Sequence, residues 1–167
     1  MTEKSSEENI LIGTYGTLKR GMGNHRWYLE GKSLYIGTGR TEKKRYMCGE
    51  SSSFPYMSES VMDDGSHCLL ELFSVTKDVV FDIDGLEGYH GPDSEYNHYN
   101  KISINVWSNK YEKTIRVFVY VRDIMVDGVC VNPSPSEDGN WRKTQISDEV
   151  NSPNKKKRDQ IREVHKD

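Results

Sequence analysis

Two runs of strict alternation constrain what this chain can fold into more than any other feature. From Tyr99 to Trp107, Ile102, Ile104 and Val106 fall on one face, and from Thr114 to Arg122, Ile115, Val117, Val119 and Val121 do the same. A period of two sends alternate side chains to opposite faces of an extended chain, so each run predicts a strand with one buried face. The turn-like Ser108-Asn109-Lys110 between them predicts an antiparallel hairpin. Phe118 and Tyr120 lie on the second face of the later strand, so that face meets more than solvent.

The remaining elements set what this hairpin joins. Asn9 to Tyr15 reads as a first strand, and Leu34-Tyr35-Ile36 as a second extended stretch with a polar continuation through Arg45-Tyr46-Met47. Phe54-Pro55-Tyr56-Met57 is a short extended piece whose proline confines it to an edge. His67 to Val75 carries Leu69, Leu70, Leu72, Phe73 and Val75, a nearly continuous apolar run that predicts a strand buried on both faces. Two short helices are expected. One begins near Asn24, packs through Trp27, Tyr28 and Leu29, and ends at Gly31. The other spans residues 77 to 87, opened by Thr76-Lys77-Asp78, with Val79, Val80, Ile83 and Leu86 on one face and Gly88 as its stop. Mostly antiparallel strands with two short helices make an α+β domain, its sheet curling into a small mixed β-barrel flanked by the helices.

A chain of 167 residues holds one such domain comfortably. Hydrophobic content of 34% and a mean hydropathy of -0.79 indicate solvated ends around a smaller packed body. The expected division is a loose tail over residues 1 to 8, a domain over 9 to 142, and a polar, charged tail over 143 to 167. Asn132 to Gly139 breaks regular structure, and Trp141 is the one large apolar anchor beyond it. The block Lys155 to Arg158 reads as a solvated tail or as a contact for an anionic partner. A net charge of -3 gives no basic face for nucleic acid. No apolar run approaches the ~20 residues that span a bilayer, so no membrane partner is expected. The acidic, polar start is unlike a secretory signal, and three cysteines without a CxxC pair suit reduced thiols; both point to the cytoplasm.

Chemistry could reside in two places. Thr14-Tyr15-Gly16-Thr17-Leu18-Lys19-Arg20-Gly21 follows the apolar run at residues 10 to 12 and leads into a helix start. Such a loop either aims several backbone N–H groups at an anion or oxyanion, or is a tight strand-to-helix connection. Gly16 and Gly21 have P-loop spacing, but Met22-Gly23 replaces the lysine and hydroxyl residue that would bind phosphate and magnesium. No GxSxG elbow occurs, and no histidine stands at zinc-ligand spacing with cysteine or acidic partners, so no metal site is expected. The second place is Glu87, at the end of the later helix and the border of its apolar face. It points either into a cavity, where burial would raise its pKa and suit it to proton transfer, or into solvent. Asp82 and Asp84 read as solvated helix carboxylates.

The segments Tyr15 to Gly21 with Asn24-His25, Phe54-Pro55-Tyr56, Glu71-Leu72-Phe73-x-Val75, Asp84-Gly85-Leu86-Glu87-Gly88-Tyr89 and Val119-Tyr120-Val121 follow one another in a telling order. Together they resemble the γ-glutamylcyclotransferase-like family, most closely its γ-glutamylamine cyclotransferase branch. The resemblance implies a small barrel with a pocket between the loop and the glutamate, and a small-molecule γ-glutamyl amine as substrate. It implies that the α-amine of the γ-glutamyl group attacks its own γ-carbonyl, giving 5-oxoproline and a free amine. Glu87 would be the catalytic base and acid. The N–H groups of Tyr15, Gly16, Thr17 and Leu18 would hold substrate oxygens, Tyr120 would line the pocket, and no metal or organic cofactor would be needed. The other reading of the same fold is a non-catalytic module for an anionic metabolite or nucleotide-like ligand, with Lys19, Arg20 and His25 as anion contacts. Three residues depart from the family pattern. Leu70 stands where glycine often precedes Glu71 and is expected to reshape one wall of the pocket; Phe73 replaces a tyrosine, and Lys101 an arginine.

Overall fold

The computed structural model describes residues 9–48, 56–123, 125–126, 129–130 and 139–140. Both tails, Trp141, the basic block at 155–158, and Phe54 and Pro55 lie outside the described residues.

Five strands close a barrel in the order β1-β5-β2-β6-β7: β1 (Ile10–Thr14), β2 (Leu34–Thr41), β5 (Leu69–Val75), β6 (Asn100–Ser108) and β7 (Lys113–Val121). Four seams are antiparallel and the fifth, β1 with β7, is parallel at Ile12 opposite Phe118; the hairpin seam runs from Asn100 opposite Val121 to Ser108 opposite Lys113. The hairpin turn is longer than the alternation predicts, extending to Glu112, which holds φ at 54°. Short pairs, β3 (Met47–Cys48) with β4 (Tyr56–Met57) and β8 (Met125–Val126) with β9 (Val129–Cys130), lie outside the barrel sheet.

The continuous apolar run of β5 has a direct cause. Leu70 and Leu72 point into the barrel with Val106, Val117, Val119 and Val121, whereas Phe73 and Val75 point outward beneath the helices with Ile12, Leu29 and Ile83. A strand between two cores has no solvent face. At Gly39 of β2 an added Cβ would stand 2.3 Å from the Trp107 carbonyl oxygen, so only glycine lets β2 and β6 close there.

Helix α1 (Gly23–Tyr28) buries His25 and leads to Leu29, which is fully buried. Trp27, expected to pack this helix down, is 73% exposed. At ~100° per residue, position 27 lies across the helix from both 25 and 29, and a six-residue helix packs only one face. Helix α2 (Lys77–Glu87) buries Val79, Val80 and Ile83 and ends at Gly88 in a left-handed conformation, φ 68°. The chain then returns to the helix end, where the His98 N–H donates to the Gly88 carbonyl at 2.9 Å and the Tyr99 N–H to that of Glu87 at 3.2 Å. Gly88→Ala is expected to cost about 1–2 kcal/mol, because a side chain resists this φ and its Cβ would meet the His98 Cβ at 2.9 Å. Urea unfolding should show a lower midpoint with an unchanged slope.

Candidate active site

The loop after β1 is pinned from beneath. The Tyr15 hydroxyl donates to the Tyr120 carbonyl at 2.7 Å inside the core, fixing the loop's start to β7. Burial, followed by the charges of Tyr99 and Glu87, pushes the Tyr15 phenol well above its ordinary pKa. Among the described residues, the loop's backbone bonds run from the N–H groups of Lys19, Met22 and His25 to the carbonyls of Gly16, Lys19 and Thr17. The N–H groups of Gly16, Thr17 and Leu18 enter none of these bonds.

The three cationic side chains of this region do not line the cavity described below. Lys19 is buried and donates to Asn140 Oδ1 at 3.3 Å. Arg20 turns to Glu71: its backbone N–H donates to Oε1 at 2.8 Å, and its guanidinium lies 3.4 Å from the same oxygen while covering the Tyr35 ring at 3.8 Å. His25 sets Nδ1 3.0 Å from the Leu18 carbonyl oxygen, with its ring against Phe73. Each bonds within or beside the loop, and the structure places none of the three among the described residues that line the cavity.

A cavity of about 240 Å³ lies between this loop and the end of α2. Gly13 to Leu18 form one wall with Asn24, whose amide donates to the Thr17 hydroxyl at 2.7 Å. Leu86 and Glu87 form the opposite wall, and His98, Tyr99 and Tyr120 complete the lining. Glu87 is half-buried, and burial pushes its carboxyl up to about 7. The Tyr99 phenol is likewise pushed up to about 12, by burial first and then by the charge of Glu87. Among the described residues, the lining contains one carboxylate, one histidine and no lysine or arginine. A carboxyl poised near neutrality thus lines the same small cavity as Gly16, Thr17 and Leu18, whose N–H groups enter no backbone bond among the described residues.

Asp84 is not the solvated carboxylate its exposed-looking helix position suggests. The Tyr120 hydroxyl donates to its Oδ1 at 2.5 Å, and Lys101 Nζ lies 3.1 Å from both of its oxygens. Asp84 precedes Glu87 by three residues and so shares its side of the helix, a spacing that could have linked the two from sequence. Of the departures, Leu70 fills the barrel interior and Phe73 packs against His25 and Tyr35, and neither lines the cavity. Leu70 instead lies behind the wall, where a Cβ added to the cavity-lining Gly13 would meet its Cδ1 at 2.9 Å. Asn24, Leu86, His98 and Tyr99 were not singled out as site residues by sequence reasoning; for Asn24 the signal was its place directly after the loop. Among the described residues, no group of three or more His, Cys, Asp or Glu side chains could hold a metal ion. No described helix is long and apolar enough to cross a membrane.

A family model described as gamma-glutamyl cyclotransferase, AIG2-like, matches residues 12–143. Two relatives are named as putative gamma-glutamylcyclotransferases. One, from Methanocaldococcus jannaschii, is 36% identical over 99 residues, covering 59% of this chain and 75% of that protein. The other, from Drosophila melanogaster, is 30% identical over 114 residues, covering 66% and 68%. Among solved structures, a mouse AIG2-like protein superposes with a TM-score of 0.65 at 17% identity, covering 83% of this chain and 92% of that one.

Proposed function

The chain belongs to the gamma-glutamyl cyclotransferase, AIG2-like family, and on that premise we propose that it converts a γ-glutamyl amine into 5-oxoproline and the free amine. The observation that carries this reading is Glu87, raised to about 7 and facing the loop's N–H groups across the cavity.

The reaction is an intramolecular aminolysis, and its demands match these groups. The nucleophile is tethered to its electrophile, so holding the ring-closing conformer lowers the barrier. An ammonium has no lone pair, so a base must take a proton from it first; the Glu87 carboxylate does this. The amine nitrogen then attacks the γ-carbonyl carbon, and the tetrahedral oxyanion receives hydrogen bonds from fixed N–H donors of the segment Tyr15 to Leu18. As the intermediate collapses, the protonated Glu87 gives its proton to the departing nitrogen, and the carboxylate so regenerated takes the second proton from the ring nitrogen, leaving the neutral lactam, and passes it to the free amine or solvent. One carboxyl serves every transfer because a pKa of about 7 keeps both of its protonation states accessible at neutral pH. Among the described residues of the lining, the substrate's own carboxylate meets no lysine or arginine, so the remaining neutral donors, such as the Thr17 hydroxyl and Asn24 amide, would hold it.

Incubating the purified protein with a panel of γ-glutamyl amines should release 5-oxoproline, detected by mass spectrometry. Stoichiometric binding without product over hours would replace this reading with a ligand-binding role. The pH profile adds an independent check. Glu87 must be ionised to act as base, so kcat/KM should rise with pH on a limb centred near 7. A limb centred near the ordinary carboxylate value would show that the base is not a carboxyl raised by burial.

A further inference from the structure

We propose that Asp84 is a positioning residue that fixes the polarity of Tyr120, making its hydroxyl oxygen a hydrogen-bond acceptor for the substrate's amine. The inference rests on reading the cavity as a γ-glutamyl site. Tyr120 lines the cavity from β7, and its hydroxyl donates to Asp84 Oδ1 at 2.5 Å. A phenol carries one proton. Once that proton points to Asp84, only lone pairs remain for whatever enters the cavity.

The arrangement is locked from behind. Lys101 stands opposite Tyr120 in the β6–β7 register and reaches both Asp84 oxygens at 3.1 Å. The side chains of Lys101 and Asp84 are only 16% and 22% exposed, and the ammonium also lies 5.0 Å from the centre of the Tyr89 ring. Asp84 thus meets a cation on one side and a donated phenol proton on the other. An amine in the cavity meets Glu87 as proton acceptor and the Tyr120 oxygen as a second acceptor, with no lysine or arginine in the lining among the described residues. This pairing has a use in ring closure. After Glu87 takes one proton, a remaining N–H held by Tyr120 turns the nitrogen lone pair toward the γ-carbonyl. No bond at Tyr120 or Asp84 is made or broken covalently.

The test uses two probes that differ by one group: L-glutamine, and glutaramate, which lacks the α-amino group. Calorimetric titration of the wild type should show tighter binding of L-glutamine. Asp84→Asn should weaken L-glutamine roughly tenfold and leave glutaramate unchanged, because an amide can donate to the phenol oxygen and release its proton toward the cavity. Tyr120→Phe should cause the same selective loss, and Asp84→Asn should add nothing in that background. Asp84→Glu should restore part of the selectivity. If Asp84→Asn does not fold, Tyr120→Phe with both probes carries the test. Equal weakening of both probes, additive losses in the double variant, or a wild type without preference for the amine would overturn the proposal. Release of 5-oxoproline is read in parallel. Product with Asp84-independent selectivity removes this inference alone; Asp84-dependent selectivity without product removes the cyclotransferase reading alone.

Discussion

Glu87→Gln is expected to abolish 5-oxoproline formation, lowering kcat by about a thousandfold or more, while leaving ligand binding close to that of the wild type. Glutamine matches the shape of glutamate but can neither take the proton of an ammonium nor return it to a leaving amine. General acid–base catalysis contributes roughly 10²–10⁴ to a rate, and here one group would serve both steps, so the upper part of that range applies. The cavity volume and the loop's N–H groups are untouched, which is why binding should persist. A second, non-kinetic consequence follows from the same burial. With a folded pKa of about 7 against 4.5 for the exposed group, the folded state holds more protons than the unfolded chain between those pH values. Stability therefore falls as pH rises through that window, by up to about 3 kcal/mol, and is flat above it. The glutamine variant has no such titration. It should gain on the wild type in thermal melts between pH 5 and 7 and keep a constant lead at pH 8. Unchanged product formation in the variant would remove the catalytic role, and a pH-independent difference in melting would show that the carboxyl is not shifted.

Much of the fold was legible because its signals are local. The alternation of Ile102, Ile104 and Val106 against Ile115, Val117 and Val119 fixes a hairpin, and the structure pairs Ile102 with Val119, Ile104 with Val117 and Val106 with Ile115. The bounds of α2 follow from Thr76 and Gly88, residues whose backbone preferences stop a helix regardless of what surrounds it. The unbroken apolar run of β5 indicates two cores before either is seen. What stayed hidden is what depends on partners distant in the chain. Arg20 finds Glu71 across 51 positions, Lys19 finds Asn140 across 121, and Tyr120 finds Asp84 across 36. Nothing in the periodicity of either partner announces such a pair, so Lys19 and Arg20 read as anion contacts or as loop-closing or solvated charges, and Asp84 as a solvated acid. Trp27 misled for another reason, since a large apolar residue beside a buried one was assigned to the same face. The joining of the loop to Glu87 was legible only through the order of segments shared with a family. Spacing alone left the loop as either an anion site or a turn, and left Glu87 as either a base or a surface group.

Glu71→Ala is expected to destabilise the fold by about 3–5 kcal/mol and to raise KM more than it lowers kcat. Glu71 sits on the outward face of β5, where its side chain is only 5% exposed, and its neighbours in register are Thr14 of β1 and Thr38 of β2. From there it accepts the Arg20 N–H and lies beside the guanidinium, so it clamps the far end of the loop whose near end Tyr15 holds. Truncation leaves a void in the packed layer and removes the acceptor of the Arg20 N–H and the carboxylate beside the guanidinium that covers Tyr35. Arg20 is 25% exposed and can turn partly to water, which moderates the charge penalty but does not restore the clamp. Glu71→Gln separates the contributions. It keeps an acceptor oxygen for the Arg20 N–H and fills the same volume, so it should cost only about 1–2 kcal/mol and largely retain KM. The rise in KM with alanine is expected because the Gly16, Thr17 and Leu18 N–H groups then reach one geometry only part of the time, and the substrate must select it. Urea unfolding and Michaelis–Menten kinetics on the two variants measure both effects. Equal losses in stability would assign the stabilisation to the charge rather than to packing. A destabilised alanine variant with wild-type KM would show that the clamp supports the barrel without shaping the loop.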